Sequence, residues 1–150
     1  MAQPFTQSFP VQWADLDPNF HVRHSVYYDW GASTRLYYLQ YQGVDTMFLL
    51  QNNIGPILFR EEAIFKREIR MGDTIAVDVK LRRARRDYSR WGWTHQIIKN
   101  GDTLAAIINV DGAFMDTQAR KLIAPPAKLL HLMEDVPRTD NFSWDEDGAI

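Results

Sequence analysis

The sequence predicts an α+β domain in which one long helix is followed by a chain that is almost entirely strand. Three observations carry this. Val26, Trp30, Ser33, Tyr37 and Tyr41 recur at spacings of three and four, the signature of one helical face. From residue 58 onward apolar and polar residues alternate with period two. Asn100-Gly101 joins two such alternating runs, and this dipeptide is a strong hairpin signal. With 150 residues, the chain is sized for a single domain with a substantial core.

The elements follow in order. Phe9, Val11 and Trp13 alternate as an opening strand, with Pro10 marking an edge. A turn-rich loop leads into a helix over 25–42. Its middle, Gly31-Ala32-Ser33-Thr34, is small enough for the helix to lie close against a sheet, and Gly43 suits its C-terminal cap. Asp45 caps a short second helix over 46–51, which breaks at Asn52-Asn53 and Gly55-Pro56. The stretch 58–67 reads as a strand, with Phe59, Ala63 and Phe65 on one face and Arg60, Glu62 and Lys66 on the other. After a turn at Met71-Gly72-Asp73, Ile75, Val77, Val79 and Leu81 form one face of a half-buried strand. Residues 90–99 and 103–115 give two more strands. Pro125-Pro126 ends the sheet, 127–134 adds a short helix, and the acidic tail over 138–150 reads as loosely held. The expectation is one domain over 1–150 with its core in about 7–130. An antiparallel sheet of about five strands wraps one long central helix, and its open edges predict at least a dimer.

Composition narrows the function classes. A net charge of −2 gives no global field for nucleic acid or an anionic membrane. The absence of cysteine excludes disulfides, thiolate catalysis and cysteine-ligated metal. The first residues lack the charged and apolar regions of a signal peptide, and no apolar run is long enough for a membrane helix. A soluble, cytoplasmic protein is expected. Five Trp, six Tyr and eight Phe suffice to line a groove as well as fill a core.

The chemistry concentrates in residues 15–35. Asp15, Asp17 and His21 fall within seven residues, at a strand-to-helix junction. Carboxylates there lie near the positive end of the helix dipole, beside backbone N–H groups able to polarise a carbonyl. An acid–base group next to such donors is the minimum equipment for acyl-group hydrolysis.

Asp15, Asp17, His21, Val22, Tyr27 and Arg35 match a D-x-D-x-x-G-H-V-N-N-x-x-Y pattern followed by an Arg eight residues later. Gly72-Asp73 and Pro125 add weaker points of likeness. In these residues the chain resembles the hotdog-fold acyl-CoA thioesterases, in particular the 4-hydroxybenzoyl-CoA thioesterase-like group. The resemblance implies a hotdog fold, hydrolysis of an acyl-CoA to free acid and CoA, and no cofactor or metal. It further implies a homodimer or homotetramer with its site between subunits. Three positions depart from the pattern. Phe20 replaces the glycine, where a conventional backbone is expected. Arg23 and His24 replace the two asparagines, which puts charge beside the site and makes His24 a substrate-contact candidate.

The resemblance makes Asp17 the nucleophile or the general base for water. The plain alternative is that Asp17-Pro18-Asn19 is an Asx-type turn. His21 either orients substrate or water, as the second catalytic candidate, or simply bonds backbone. Asp15 shapes the loop at the edge of the substrate site. Tyr27 lines the pocket or packs, and Arg35 is expected to pair with Glu61 or Glu62. Among the arginines following Leu81, Arg83, Arg85 and Arg90 are candidates for the CoA phosphates, against a solvated turn. Trp91 and Trp93 share one strand face, as core or as the wall of an acyl groove. Two other functions stand beside hydrolysis: acyl-CoA binding without turnover, and a hydratase or dehydratase pairing Asp17 with His21.

Overall fold

The computed structural model describes residues 4–145. A short strand β1 (Thr6–Phe9) and a 3-10 turn (Trp13–Asp15) precede α1 (His24–Tyr41) and α2 (Thr46–Gln51). Then come β2 (Ile54–Phe65), β3 (Ile75–Asp78), β4 (Lys80–Ala84), β5 (Arg90–Lys99), β6 (Thr103–Asp116) and β7 (Lys121–Leu122). Helix α3 (Ala127–Asp135) and β8 (Arg138–Trp144) complete the described chain. Sheet neighbours run β1, β3, β5, β6, β2, and all of these pairs are antiparallel. The sheet lies against α1, whose Val26, Trp30 and Tyr38 pack among Val77, Ile97, Ile108 and Val110. This is the long helix wrapped by an antiparallel sheet that the resemblance implied.

The small helix middle does what its composition predicted. A Cβ on Gly31 would sit 3.3 Å from His95 Cδ2 on β5, so the helix rides directly on the sheet there. Gly112 on β6 is equally constrained, because a Cβ would fall on the Ile57 carbonyl oxygen and the Trp91 ring. Asn100 and Gly101 both take positive φ (55° and 81°), the geometry of the tight hairpin that their pairing predicts.

Four expectations are corrected. The opening strand ends at Phe9, because Pro10 lacks the N–H to continue pairing, and Trp13 goes into an exposed 3-10 turn. The sheet has eight strands rather than about five. The run from Ile75 splits at Val79 into β3 and β4, both pairing with β5. There the Asp78 carbonyl accepts from His95 Nδ1 at 2.8 Å, while the Gln96 N–H donates to the Asp78 side chain. Side chains thus replace the ladder at that point. The third correction concerns the tail. Residues 138–144 are not loose but form β8, parallel to β4. Trp144 packs edge-on against Tyr88 and Phe142, and the Arg138 guanidinium lies over both the Phe142 and Trp144 rings. Residues 146–150 lie outside the described residues. The core accordingly runs on past 130 to Leu132, Met133 and Val136. Finally, Phe20 does not keep a conventional backbone: its φ is +63°, the left-handed region the pattern's glycine would favour.

Candidate active site

The loop before α1 is a closed knot of backbone bonds. Asp15 turns its carboxylate to the Gln12 N–H at 2.9 Å, which folds the 3-10 turn and takes it out of the cleft. Leu16 and Val22 pair as an isolated bridge. Inside that bridge the Asp17 N–H donates to the His21 carbonyl (2.7 Å), and the Phe20 N–H donates to the Asp17 carbonyl (2.9 Å). The Asp17 side chain completes the turn: Oδ1 accepts from the Asn19 N–H at 2.8 Å and from the His21 N–H at 3.2 Å. Its Oδ2 has no hydrogen-bond partner among the described residues. One oxygen therefore holds the loop, and the other is available for chemistry.

Helix α1 begins at the same place. Its N-cap residue, Arg23, makes no capping bond and instead donates through Nε to Ser25 Oγ (3.1 Å) and through Nη1 to the Ala14 carbonyl. The Val26 N–H is taken by the Arg23 carbonyl at 3.1 Å. The N–H groups of His24 and Ser25 have no acceptor among the described residues. They are free donors at the positive end of an 18-residue helix.

The Asp17 loop and His24 border an open cleft of about 380 Å³, whose walls also include His21, Tyr27, Phe65, Lys66, Arg67 and Glu68. His21 Nε2 lies 3.2 Å from Glu68, which also pairs with Arg70 at 2.6 Å. Tyr27 is buried edge-on against Phe65 at 5.0 Å, and burial pushes its phenol up from the ordinary value. Lys66 and Arg67 were not singled out from the sequence, where Lys66 reads as one more polar residue on a strand face. The signal was their adjacency at a strand end. Both N–H groups bond the Ala105 carbonyl, which fixes the two cations at the cleft rim.

Asp17, His21, His24 and Tyr27 are thus brought together, and Asp15 turns to the loop. Arg83, Arg85 and Arg90 lie elsewhere within the chain. Arg83 pairs with Asp145 at 3.1 Å, the Arg85 N–H bonds the Arg90 carbonyl, and the Arg90 guanidinium covers the Phe59 ring. Phe59 lies at the middle of β2, ~20 Å of extended strand from Phe65.

Behind the cleft runs a buried polar chain. Arg35 Nη1 lies 2.9 Å from His95 Nε2, and Nη2 is 3.7 Å from Glu61, the first of the two expected partners. A carbonyl only accepts and a guanidinium only donates, so His95 carries its proton on Nδ1, toward Asp78, and accepts at Nε2. Full burial, with the Arg35 charge adding to it, holds the imidazole down at about 3.

Beside this chain, under α1, an apolar cavity of about 230 Å³ opens among Arg35, Leu36, Leu39, Pro56, Leu58, Trp91, Trp93 and Phe114. Both tryptophans are core residues and cavity wall at once.

No curated protein matches the chain by sequence. Solved structures do match by shape. A hypothetical protein from Staphylococcus aureus, characterised in complex with CoA, superposes with a TM-score of 0.80 at 19% identity, covering 97% of this chain and 92% of its own. A 1,4-dihydroxy-2-naphthoyl-CoA thioesterase from Synechocystis gives 0.78 at 16% identity, covering 89% and 97%. A gentisyl-coenzyme A thioesterase gives 0.73 at 19% identity, covering 83% and 98%. At such identities the likeness establishes the hotdog fold. A family model matches residues 11–133, most of the chain, and by that match the protein belongs to the thioesterase-like superfamily.

Proposed function

We propose that the protein is an acyl-CoA thioesterase in which Asp17 is nucleophile or general base. The observation that carries this is the pairing, in one cleft, of an uncommitted Asp17 Oδ2 with His24 at the start of α1, whose N–H, like that of Ser25 next to it, has no acceptor among the described residues. A thioester carbonyl oxygen received by those amides gains negative charge as its carbon is attacked, and the helix dipole favours that charge. In one route Oδ2 attacks, CoA leaves as thiolate, and water opens the resulting mixed anhydride. In the other Oδ2 takes a proton from water as the water attacks. Both give free acid and CoA, and both need the same oxygen.

Coenzyme A is anionic, and Lys66 and Arg67 give the cleft rim a matching charge. The S. aureus neighbour, characterised in complex with CoA, supports that ligand class. The assembly we infer is a homodimer or a homotetramer built from it, joined through β2. This strand pairs on one side only and exposes Leu58, Phe59, Ile64 and Phe65. Antiparallel self-pairing centred between Glu61 and Glu62, midway between these two exposed pairs, sets the Phe59 side of one subunit beside the Phe65 end of the other. In that arrangement Arg83, Arg85 and Arg90 approach the partner's cleft, which keeps them as candidates for the CoA phosphates.

The test is a hydrolysis screen over alkyl-CoA chain lengths and aryl-CoAs, following free thiol. Turnover of a defined group of acyl-CoAs supports the reading. Tight acyl-CoA binding with no thiol release from any of them replaces it with a non-catalytic acyl-CoA-binding protein.

A further inference from the structure

The cavity under α1 differs from the cleft in its chemistry and sets a limit by its size. Apart from Arg35 its lining is alanine, leucine, proline and aromatic rings. Arg35 is already engaged, with Nη1 2.9 Å from His95 and Nη2 3.7 Å from Glu61. The Trp91 nitrogen is buried out of reach, so that ring presents carbon to the cavity. A hydroxyl brought into such a space loses its water partners without replacement, whereas a hydrocarbon is favoured. Entry is open, because Leu36 and Leu58 in the wall are themselves partly exposed. A cavity of about 150 Å³ takes the six carbons of benzene, roughly 25 Å³ each, so about 230 Å³ takes about nine.

We propose that this cavity holds the acyl tail of the substrate and takes an unsubstituted hydrocarbon chain of medium length, full at about nine carbons. The proposal rests on the thioesterase reading for the word substrate. The placement agrees with the inferred dimer. Leu58 lines the cavity together with Leu36 and Leu39 of α1, and Phe65 packs on Tyr27 of the same helix, so both residues lie on the helix side of the sheet. Self-pairing of β2 brings Pro56 and Leu58 of one subunit beside the partner subunit's cleft. A thioester held in that cleft has the cavity within reach of its acyl chain.

The test separates binding from turnover. Tryptophan fluorescence is titrated with primary alcohols from 1-butanol to 1-dodecanol. Affinity should rise about fourfold per added CH₂ and level off at about nine carbons, where the cavity is full. 1,8-Octanediol, polar at both ends, should bind about tenfold or more weakly than 1-octanol. Ala32→Leu adds bulk to the wall at an exposed helix position and should move the levelling-off about three carbons shorter. Leu36→Ala should move it about three carbons longer, and if one of these variants does not fold, the other decides. An unbroken rise through dodecanol, equal binding of the diol, or a levelling-off that the folded variants leave in place overturns the proposal. Absence of binding by any alcohol also overturns it and leaves the cavity to a partner side chain. In parallel, kcat/KM is compared for butanoyl-CoA, octanoyl-CoA and 8-hydroxyoctanoyl-CoA. Octanoyl-CoA should exceed both others by about tenfold or more. Turnover without that preference overturns the acyl assignment alone. No turnover of any acyl-CoA overturns the thioesterase reading, and the alcohol series still decides the cavity.

Discussion

Replacing Asp17 with Asn separates the two jobs this side chain holds. Asn keeps an Oδ1 that accepts from the Asn19 and His21 N–H groups, so the turn survives. What changes is the charge on two half-exposed hydrogen bonds and the chemistry of Oδ2. A charged acceptor is worth about 1 kcal/mol more per bond than a neutral one when buried, and solvent reduces that here. The expected loss in Asp17→Asn is therefore about 1 kcal/mol, a Tm decrease of roughly 2–4 °C for a domain of this size. Asp17→Ala removes both acceptors and should cost about 2–3 kcal/mol, with a correspondingly larger Tm decrease. Hydrolysis should fall on the order of 10²-fold or more in both, because both lose the base or nucleophile. The assay pairs thermal denaturation with thiol release on the best acyl-CoA from the screen. Activity must fall equally while stability does not. Wild-type turnover in Asp17→Asn, or activity that tracks Tm across the two variants, refutes the catalytic assignment and leaves Asp17 as a turn residue.

Three further outcomes are expected. Burial holds the His95 imidazole at about 3, below its ordinary 6.5, so the unfolded chain binds the extra proton first. Stability from this group is complete above pH 6.5 and declines as pH falls from there toward 3, by at most about 1.4 kcal/mol per pH unit. His95→Gln should flatten that part of an acid denaturation profile, and an unchanged profile contradicts the assignment. Light scattering at micromolar concentration should show a dimer or larger, and Leu58→Lys with Ile64→Lys should yield monomer; a monomeric parent removes the β2 interface. Phe20→Gly relieves a left-handed backbone but adds glycine entropy and loses the Trp13 ring at 6.4 Å, so Tm should move by only about 1 kcal/mol equivalent. A loss of several kcal/mol by chemical denaturation would show Phe20 to be an anchor instead.

Much of the fold was legible because local patterns agreed with tertiary demands. Asn100-Gly101, the Gly31 stretch and the Asp45 cap each has one low-energy use, and each is used that way. The break at Val79 was not legible, since it depends on His95, seventeen residues beyond Asp78, taking a backbone carbonyl. The β8 strand was hidden for a similar reason: its stability comes from arginines stacked on Phe142 and Trp144, and in sequence those arginines only register as charge. Of the candidate site, the Asp17 loop and the helix start were readable from spacing. Lys66 and Arg67 were not, because their approach to the cleft is set by pairing with Ala105, thirty-nine residues beyond Lys66. Nor was the Arg35–His95 contact, since a histidine in the middle of a strand carries no mark of what lies above it.

The way β8 lies along β4 has a consequence for how many copies come together. On that margin of the sheet the outermost strands are β1, with 4 residues, and β8, with 7, while the opposite margin is the 12-residue β2. A sheet with two long open margins has two sticky ends and grows without limit, as fibres do. A sheet with one has a valence of one. Two copies joined across a two-fold axis satisfy each other completely, and the strand ladder stops there. Any further assembly must use faces instead of margins. Removing β8 would change the count, since β4 would then offer its own unpaired groups, and the expected product is a concentration-dependent series of larger species in place of a closed pair.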